Sequence, residues 1–97
     1  MIVVLGRYPA YLELGERLGA AVFNVPDSVW RSLTREQQWA MNQTFLDQAI
    51  ANNAEFILAS GPPSVADGPC FFRDELDYLA QNGYVAVREG NLWRLRK

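Results

Sequence analysis

The stretch IVVLGRYP at residues 2–9 decides the fold, because it joins a continuous apolar run to a glycine and a proline. A short run without polar alternation is typical of a central strand that is covered on both faces. Gly6 breaks the run, and Pro9 suits the first turn of a helix, where its missing N–H has no helical partner. The stretch therefore predicts a buried strand, a tight loop and a helix.

A second stretch repeats this arrangement further along the chain. The apolar run FILA at residues 56–59 is followed by the loop SGPP at residues 60–63. In open α/β sheets, ligands bind beyond the carboxyl ends of the strands, where the strand order reverses. We therefore expect residues 6–9 and 60–63 to border one ligand site.

The rest of the chain alternates strand and helix patterns in the order β-α-β-αα-β-α-β-β. The predicted strands are Ile2–Leu5, Ala21–Val25, Glu55–Ala59, Tyr84–Val87 and Leu92–Leu95. The first predicted helix ends before Gly19, and a short one follows Pro26. A capping box of Thr34 and Gln37 begins a long helix to about Asn53, and another helix covers residues 71–82.

This order favours one α/β domain over residues 1–97, with right-handed crossovers. We expect a small three-layer, Rossmann-like sheet that is mostly parallel and ends in a C-terminal β-hairpin. Its predicted spatial order is 2-1-3-4-5, which places the reversal between strands one and three.

Composition limits the chemistry. The chain has no histidine, one cysteine and a net charge of -2. A Cys/His zinc site and nucleophilic systems that use histidine are therefore excluded. The acidic residues form no convincing ligand set, so we expect no metal and no cofactor. No run approaches the roughly 20 apolar residues of a membrane helix, which predicts no membrane partner.

Three positions in the first quarter of the chain could contact a ligand. Gly6 would let the backbone approach closely, and Arg7 could bind a phosphate or a carboxylate. A tight turn with a solvated arginine would explain the same residues. Asn24 interrupts an apolar strand near its carboxyl end, where ligand-binding and structural roles are equally well supported.

Four further positions complete the candidate site. Asn42 lies within the apolar stripe of the long helix, where a buried amide must find partners. Ser60 and the Gly61 backbone could bind an anion or a sugar hydroxyl. Glu75 could act as a general base with a raised pKa if its helix face borders the cleft. Loop-backbone bonding for Asn42 and a solvated charge pattern for Glu75 are the structural alternatives.

A series of motifs along the chain resembles a known domain class. The motifs are VVLGRYPxYLxL, FNVP, Trp39 with Asn42, the run FLD at 45–47, the run FILA at 56–59, and ELxYL from Glu75. This series is similar to the C-terminal toxin domains of bacterial polymorphic toxins, of the Rhs-repeat and contact-dependent inhibition kinds. The resemblance spans nearly the whole chain. It implies an effector that acts in the cytoplasm, that is secreted as part of a larger carrier and that a cognate immunity protein neutralises.

Many members of that class cleave RNA, so the resemblance implies an RNA or nucleotide substrate. Cleavage without a metal needs a base, a cation and an acid, and Arg7, Tyr8 and Glu75 are the candidates for these catalytic roles. An acidic chain is unusual for an enzyme that acts on RNA. A non-enzymatic Rossmann-like module that binds a nucleotide or a protein is therefore the alternative, and an NAD-consuming enzyme with Glu75 beside the ribose is a weaker one.

Overall fold

The computed structural model describes residues 1–7, 9–61 and 71–97 of the chain. The elements in chain order are β1 (Ile2–Leu5), α1 (Ala10–Leu18), α2 (Asp27–Arg31), α3 (Arg35–Ala51), β2 (Glu55–Leu58), α4 (Phe71–Gln81), β3 (Val85–Glu89) and β4 (Leu92–Arg96). Together they form an α/β arrangement with a four-stranded mixed sheet. The predicted α/β class and the C-terminal hairpin of β3 and β4 are confirmed.

Strands β1 and β2 form the buried centre of the fold. They are parallel, with Val3 opposite Phe56 and Leu5 opposite Leu58. In each strand the last three residues are buried, including the alternate positions Val4 and Ile57. Burial on both faces explains why these two strands appear in the sequence as continuous apolar runs.

The sheet is mixed, so the prediction of a mostly parallel Rossmann-like sheet is wrong. Its order is β1-β2-β4-β3, and among the described strands only β1 and β2 run parallel. The last two strands exchange the places predicted for them. Strand β4 lies inside because it brings buried Leu95 beside Phe56, whereas β3 has four exposed residues out of five and lies at the edge.

The predicted second strand, residues 21–25, is reduced to one bridge. Ala21 pairs in parallel with Val3 on the outer side of β1, through backbone bonds to Ile2 and Val4. The chain then leaves the sheet, and Phe23 turns its ring toward Phe45 of α3, with ring centroids 5.5 Å apart. The predicted reversal of strand order is present, because Ala21 pairs with one side of β1 and β2 pairs with the other side.

The main core lies between the sheet and the two long helices. Helix α3 begins at the predicted capping box: Gln37 N–H donates to Thr34 Oγ1 over 3.2 Å, and Thr34 N–H donates to Gln37 Oε1 over 2.9 Å. Its buried Leu46 and Ala49 join buried residues of α4 and of the sheet. That set comprises Val3, Leu5, Phe56, Leu58, Phe72, Leu79 and Leu95, and it is completed by Ala54 and Tyr84, which immediately precede β2 and β3. Helix α1 packs on β1 and ends at Gly19, whose φ of 62° confirms the predicted left-handed cap.

Candidate functional site

The loops that follow β1 and β2 lie side by side at the carboxyl end of the parallel pair. Ala59 N–H donates to the Leu5 carbonyl over 2.7 Å, and Arg7 N–H donates to Ser60 Oγ over 3.1 Å. A Cβ on Gly6 would lie 3.0 Å from Ala59 Cβ. Residues 6–7 and 60–61 therefore share one rim of the sheet, while Tyr8, Pro62 and Pro63 lie outside the described residues.

A cavity of about 570 Å³ opens beside this rim. Its lining includes Gly6, Arg7, Asn24, Asn42 and Glu75, five of the residues singled out from the sequence. This volume is in the range of small-molecule sites, which run from about 300 to 1,000 Å³. The described part of the chain thus brings five candidates from four segments to one concave surface.

Two candidates contribute to the rim rather than to the lining. The Ser60 hydroxyl holds the backbone of Arg7 and so fixes the start of the first loop. Gly61 lies next to β4, where an added Cβ would be 3.9 Å from Trp93 Nε1. The predicted ligand contacts of these two residues remain predictions, and the structure gives Ser60 a structural contact.

Asn42 and Glu75 form the buried polar part of the cavity. Asn42 is 2% exposed on α3, and Glu75 is 7% exposed on α4. The Asn42 side chain is hydrogen-bonded to the Glu75 carboxyl. Since the amide nitrogen donates to Glu75, the remaining polar atom of the Asn42 side chain is Oδ1. This atom is buried without a hydrogen-bond partner among the described residues.

Burial controls the ionisation of Glu75. Removal from water raises the pKa of this carboxyl from its ordinary value of 4.5 to about 8, and the negative charge of Asp74 adds to the rise. The hydrogen bond from Asn42 acts in the opposite direction and is outweighed. The carboxyl is therefore mostly protonated at pH 7, a state in which it can donate a proton or a hydrogen bond.

Aromatic rings make one wall of the cavity. The ring of Trp30 meets Phe23 edge-on at 5.7 Å between centroids and meets Phe71 at 5.6 Å. All three residues line the cavity, as does Tyr11. Sequence reasoning missed these residues as site components. The one available signal was position, because Phe23 precedes Asn24 and Trp30 lies on a short helix with little else to bury.

The cavity combines one positive charge with one exposed acid. Arg7 is the only basic residue among the described lining residues, and it is exposed at the rim. Asp27 also lines the cavity and is 4.0 Å from Arg31, at an i,i+4 spacing on α2. The arrangement can receive an anion at Arg7, a flat ring against the aromatic wall, and neutral polar groups at Asn42 and Glu75.

No group of three or more His, Cys, Asp or Glu side chains within residues 1–7, 9–61 and 71–97 is arranged to hold a metal ion. None of the described helices combines the length and apolar character that crossing a membrane requires.

Comparison with known proteins gives no relative from which to transfer an activity. No family model, no curated protein and no solved structure matches this chain.

Proposed function

We propose that this chain is a toxin-like effector domain that acts on RNA or on a nucleotide, with the Arg7–Asn42–Glu75 cavity as its active site. The observation that carries the proposal is that one cavity is lined both by a cation, Arg7, and by a buried, mostly protonated carboxyl, Glu75. Titratable groups with strongly shifted pKa values are concentrated at functional sites. The sequence resemblance to C-terminal toxin domains supports the same class of activity.

Arg7 is the group that binds the substrate phosphate. A guanidinium offers a planar set of donors that matches phosphate oxygens and stays charged at any physiological pH. Because Arg7 is exposed, it suits a phosphate that remains close to solvent. In a cleavage reaction the same cation would stabilise the charge that develops on the phosphoryl oxygens.

Glu75 is the proton donor. At pH 7 its carboxyl holds a proton that an ordinary glutamate would have lost. In RNA cleavage the ribose 2′-oxygen attacks phosphorus and loses its proton to solvent. The bond from phosphorus to the 5′-oxygen then breaks, and that oxygen leaves with the proton of Glu75, which solvent replaces. This assigns Glu75 as general acid, whereas the sequence suggested a general base.

The test uses the purified domain with RNA and short oligoribonucleotides, in the presence of EDTA. Arg7→Ala should reduce the cleavage rate by about 10²-fold or more, the usual effect of removing a group that stabilises transition-state charge. Glu75→Gln should reduce it by about 10²-fold, a typical contribution of a positioned proton donor. The matched controls are Arg17→Ala on α1 and Asp77→Asn on α4, two exposed residues outside the cavity lining.

The pH profile separates the two roles of Glu75. If Glu75 is the acid, the ratio of the wild-type rate to the Glu75→Gln rate falls as pH rises through about 8, because the carboxyl loses its proton while the dependence on hydroxide is common to both proteins. A ratio that instead rises toward pH 8 would assign Glu75 as the base. Full activity in a folded Arg7→Ala variant would contradict the assigned site.

The effector role has its own test in cells. Induced cytoplasmic expression should stop bacterial growth, and Arg7→Ala should relieve that arrest without a change in melting temperature. Rescue by the product of a neighbouring gene would identify the cognate immunity protein. The proposal also includes secretion within a larger carrier and action in the cytoplasm of the recipient cell.

A second candidate is a non-enzymatic module that binds a nucleotide. The observation that favours it is the single basic residue in the described lining, because long RNA usually needs a basic stripe along the protein. Saturable nucleotide binding without turnover and without growth arrest would support this module. Release of nicotinamide from NAD would instead support the weaker alternative, an NAD-consuming enzyme.

A further inference from the structure

We infer that Asp27 selects guanine among the four bases, by accepting hydrogen bonds from the N1–H and the 2-amino group of a base that lies against Trp30. This inference rests on the proposed function, because it takes the ligand of the cavity to carry a nucleobase. It goes beyond that function by assigning the identity of the base and the residue that determines it.

The first step of the argument is the position of Asp27 relative to the aromatic wall. Asp27 and Trp30 both line the cavity, and they are three residues apart on α2. Residues at this spacing share one face of a helix, with Cβ atoms about 5–6 Å apart. Aromatic side chains on a helix point back toward its N-terminus, which is where Asp27 begins α2. A base that stacks on the Trp30 ring would therefore bring its edge within reach of the Asp27 carboxylate.

The second step is the availability of this carboxylate. The Asp27 side chain is 86% exposed, and it lies 4.0 Å from an Arg31 side chain that is 81% exposed. Ion pairs that are this open to water contribute little to stability, so a ligand can replace the pair at small cost. Among the described lining residues Asp27 is the one exposed acid, and it would repel a phosphate. The ligand groups that suit it are hydrogen-bond donors.

The third step is the pattern of donors on the four bases. An ionised carboxylate only accepts hydrogen bonds, and its two oxygens can take two donors side by side. Guanine presents such a pair on its Watson–Crick edge, an edge by which proteins read unpaired bases. Adenine and cytosine place a bare ring nitrogen beside their amino group, and uracil places its single N–H between two carbonyl oxygens. Each of these three sets a lone pair against the carboxylate, so guanine is the base that Asp27 favours.

The test measures binding of the guanosine, adenosine, cytidine, uridine and inosine 5′-monophosphates to the purified domain by calorimetry. The wild-type protein should bind the guanosine form about tenfold more tightly than the adenosine form, within the range that a bidentate contact to a base provides. Inosine lacks the 2-amino group of guanine, so its monophosphate should bind several-fold more weakly than the guanosine form.

Asp27→Asn replaces one of the two acceptor oxygens by a donor and should bring both ratios to about one or lower. The matched control is Glu36→Gln, which removes an exposed acid from the first turn of α3, outside this cavity lining, and should keep both ratios.

The ratios are informative because a purely structural role of Asp27 at the start of α2 would weaken all five ligands equally. Equal binding of the guanosine and adenosine forms to the wild type would overturn the inference and leave nucleotide binding intact. Equal binding of the guanosine and inosine forms would overturn it as well, and so would a guanosine preference that survives in Asp27→Asn. Absence of binding by all five nucleotides would overturn the proposed function and, with it, this inference.

Discussion

The parallel half of the sheet and the hairpin half differ in what surrounds them. In β1, Val4 and Leu5 are at most 1% exposed, whereas in β3 Val85 and Val87 are 62% and 41% exposed. The charges differ in the same way. Glu75 is buried beside the parallel pair with a raised pKa, while Glu89, the glutamate of the hairpin half, forms exposed ion pairs with Arg94 and Arg96.

This difference shows how one fold gives the same residue types two different environments. On the hairpin, glutamate and arginine stay in contact with water, where an ion pair contributes little to stability. At the carboxyl end of β1, packing from α3 and α4 removes the carboxyl from water and changes its protonation state. The same residue types therefore stay in contact with water in one half, whereas burial removes a glutamate from water in the other.

The largest expected effect is the pH dependence of stability that Glu75 causes. Between pH 4.5 and about 8 the unfolded chain ionises this carboxyl while the folded protein keeps its proton, so the free energy of unfolding falls as pH rises. The total loss is about 5 kcal/mol, at about 1.4 kcal/mol for each pKa unit. Below pH 4.5 and above pH 8 this residue adds no further slope.

Urea denaturation of wild type and Glu75→Gln across pH 4 to 9 checks this linkage. The variant should show a flatter profile and should be the more stable protein at pH 9. Asp77→Asn removes one acidic charge from the exposed side of the same helix and should leave the slope of the wild type in place. An unchanged slope in Glu75→Gln would mean that Glu75 ionises in the folded protein as it does in water.

The second prediction compares a buried residue of the parallel half with an exposed residue of the hairpin half. Phe56 is fully buried in β2 and meets Tyr84 edge-on at 5.2 Å. Phe56→Ala should lower the free energy of unfolding by about 3–5 kcal/mol, since the cavity cannot fill completely. Val87→Ala on the exposed side of β3 should change it by about 0.5 kcal/mol or less. Similar losses in both variants would remove the contrast between the halves.

The parts of the fold that the sequence predicted correctly are those set by local rules. The run at residues 2–5 becomes β1, Thr34 and Gln37 form the capping box, and Gly19 ends α1 in a left-handed conformation. Each of these features depends on residues only a few positions apart. The order of the last two strands depends instead on competition between β3 and β4 for the place beside Phe56, which no local pattern records.

The candidate site follows the same division. Gly6 and Arg7 could be placed at the rim from the end of β1 alone. For Asn42 and Glu75 the sequence offered a polar residue in an apolar stripe and an acid on an uncertain helix face. Their contact across α3 and α4, and the aromatic wall around Trp30, depend on tertiary packing of segments that are far apart in the chain.

A third prediction concerns the close contact between the loop that follows β1 and the loop that follows β2. An alanine at Gly6 would place its Cβ 3.0 Å from Ala59 Cβ and 3.3 Å from Ser60 Oγ, closer than ordinary packing allows. Gly6→Ala should therefore destabilise the protein by about 1–3 kcal/mol, as overpacking does. Gly61→Ala is the matched control, because its nearest neighbour, Trp93 Nε1, would lie 3.9 Å away. Thermal melts that rank the two variants in the opposite order would contradict the close contact of the loops.

The smallest effect is expected on the hairpin. Arg94 lies between Glu55 and Glu89, 3.4 Å from each, with a side chain that is 30% exposed. Because solvent screens these pairs, a double-mutant cycle of Arg94→Ala with Glu89→Ala should give a coupling energy of about 0.2–1 kcal/mol. Raising the ionic strength should reduce that coupling. A coupling of several kcal/mol that resists salt would mean that the hairpin charges are desolvated, and the contrast with Glu75 would then lie in pairing rather than in access to water.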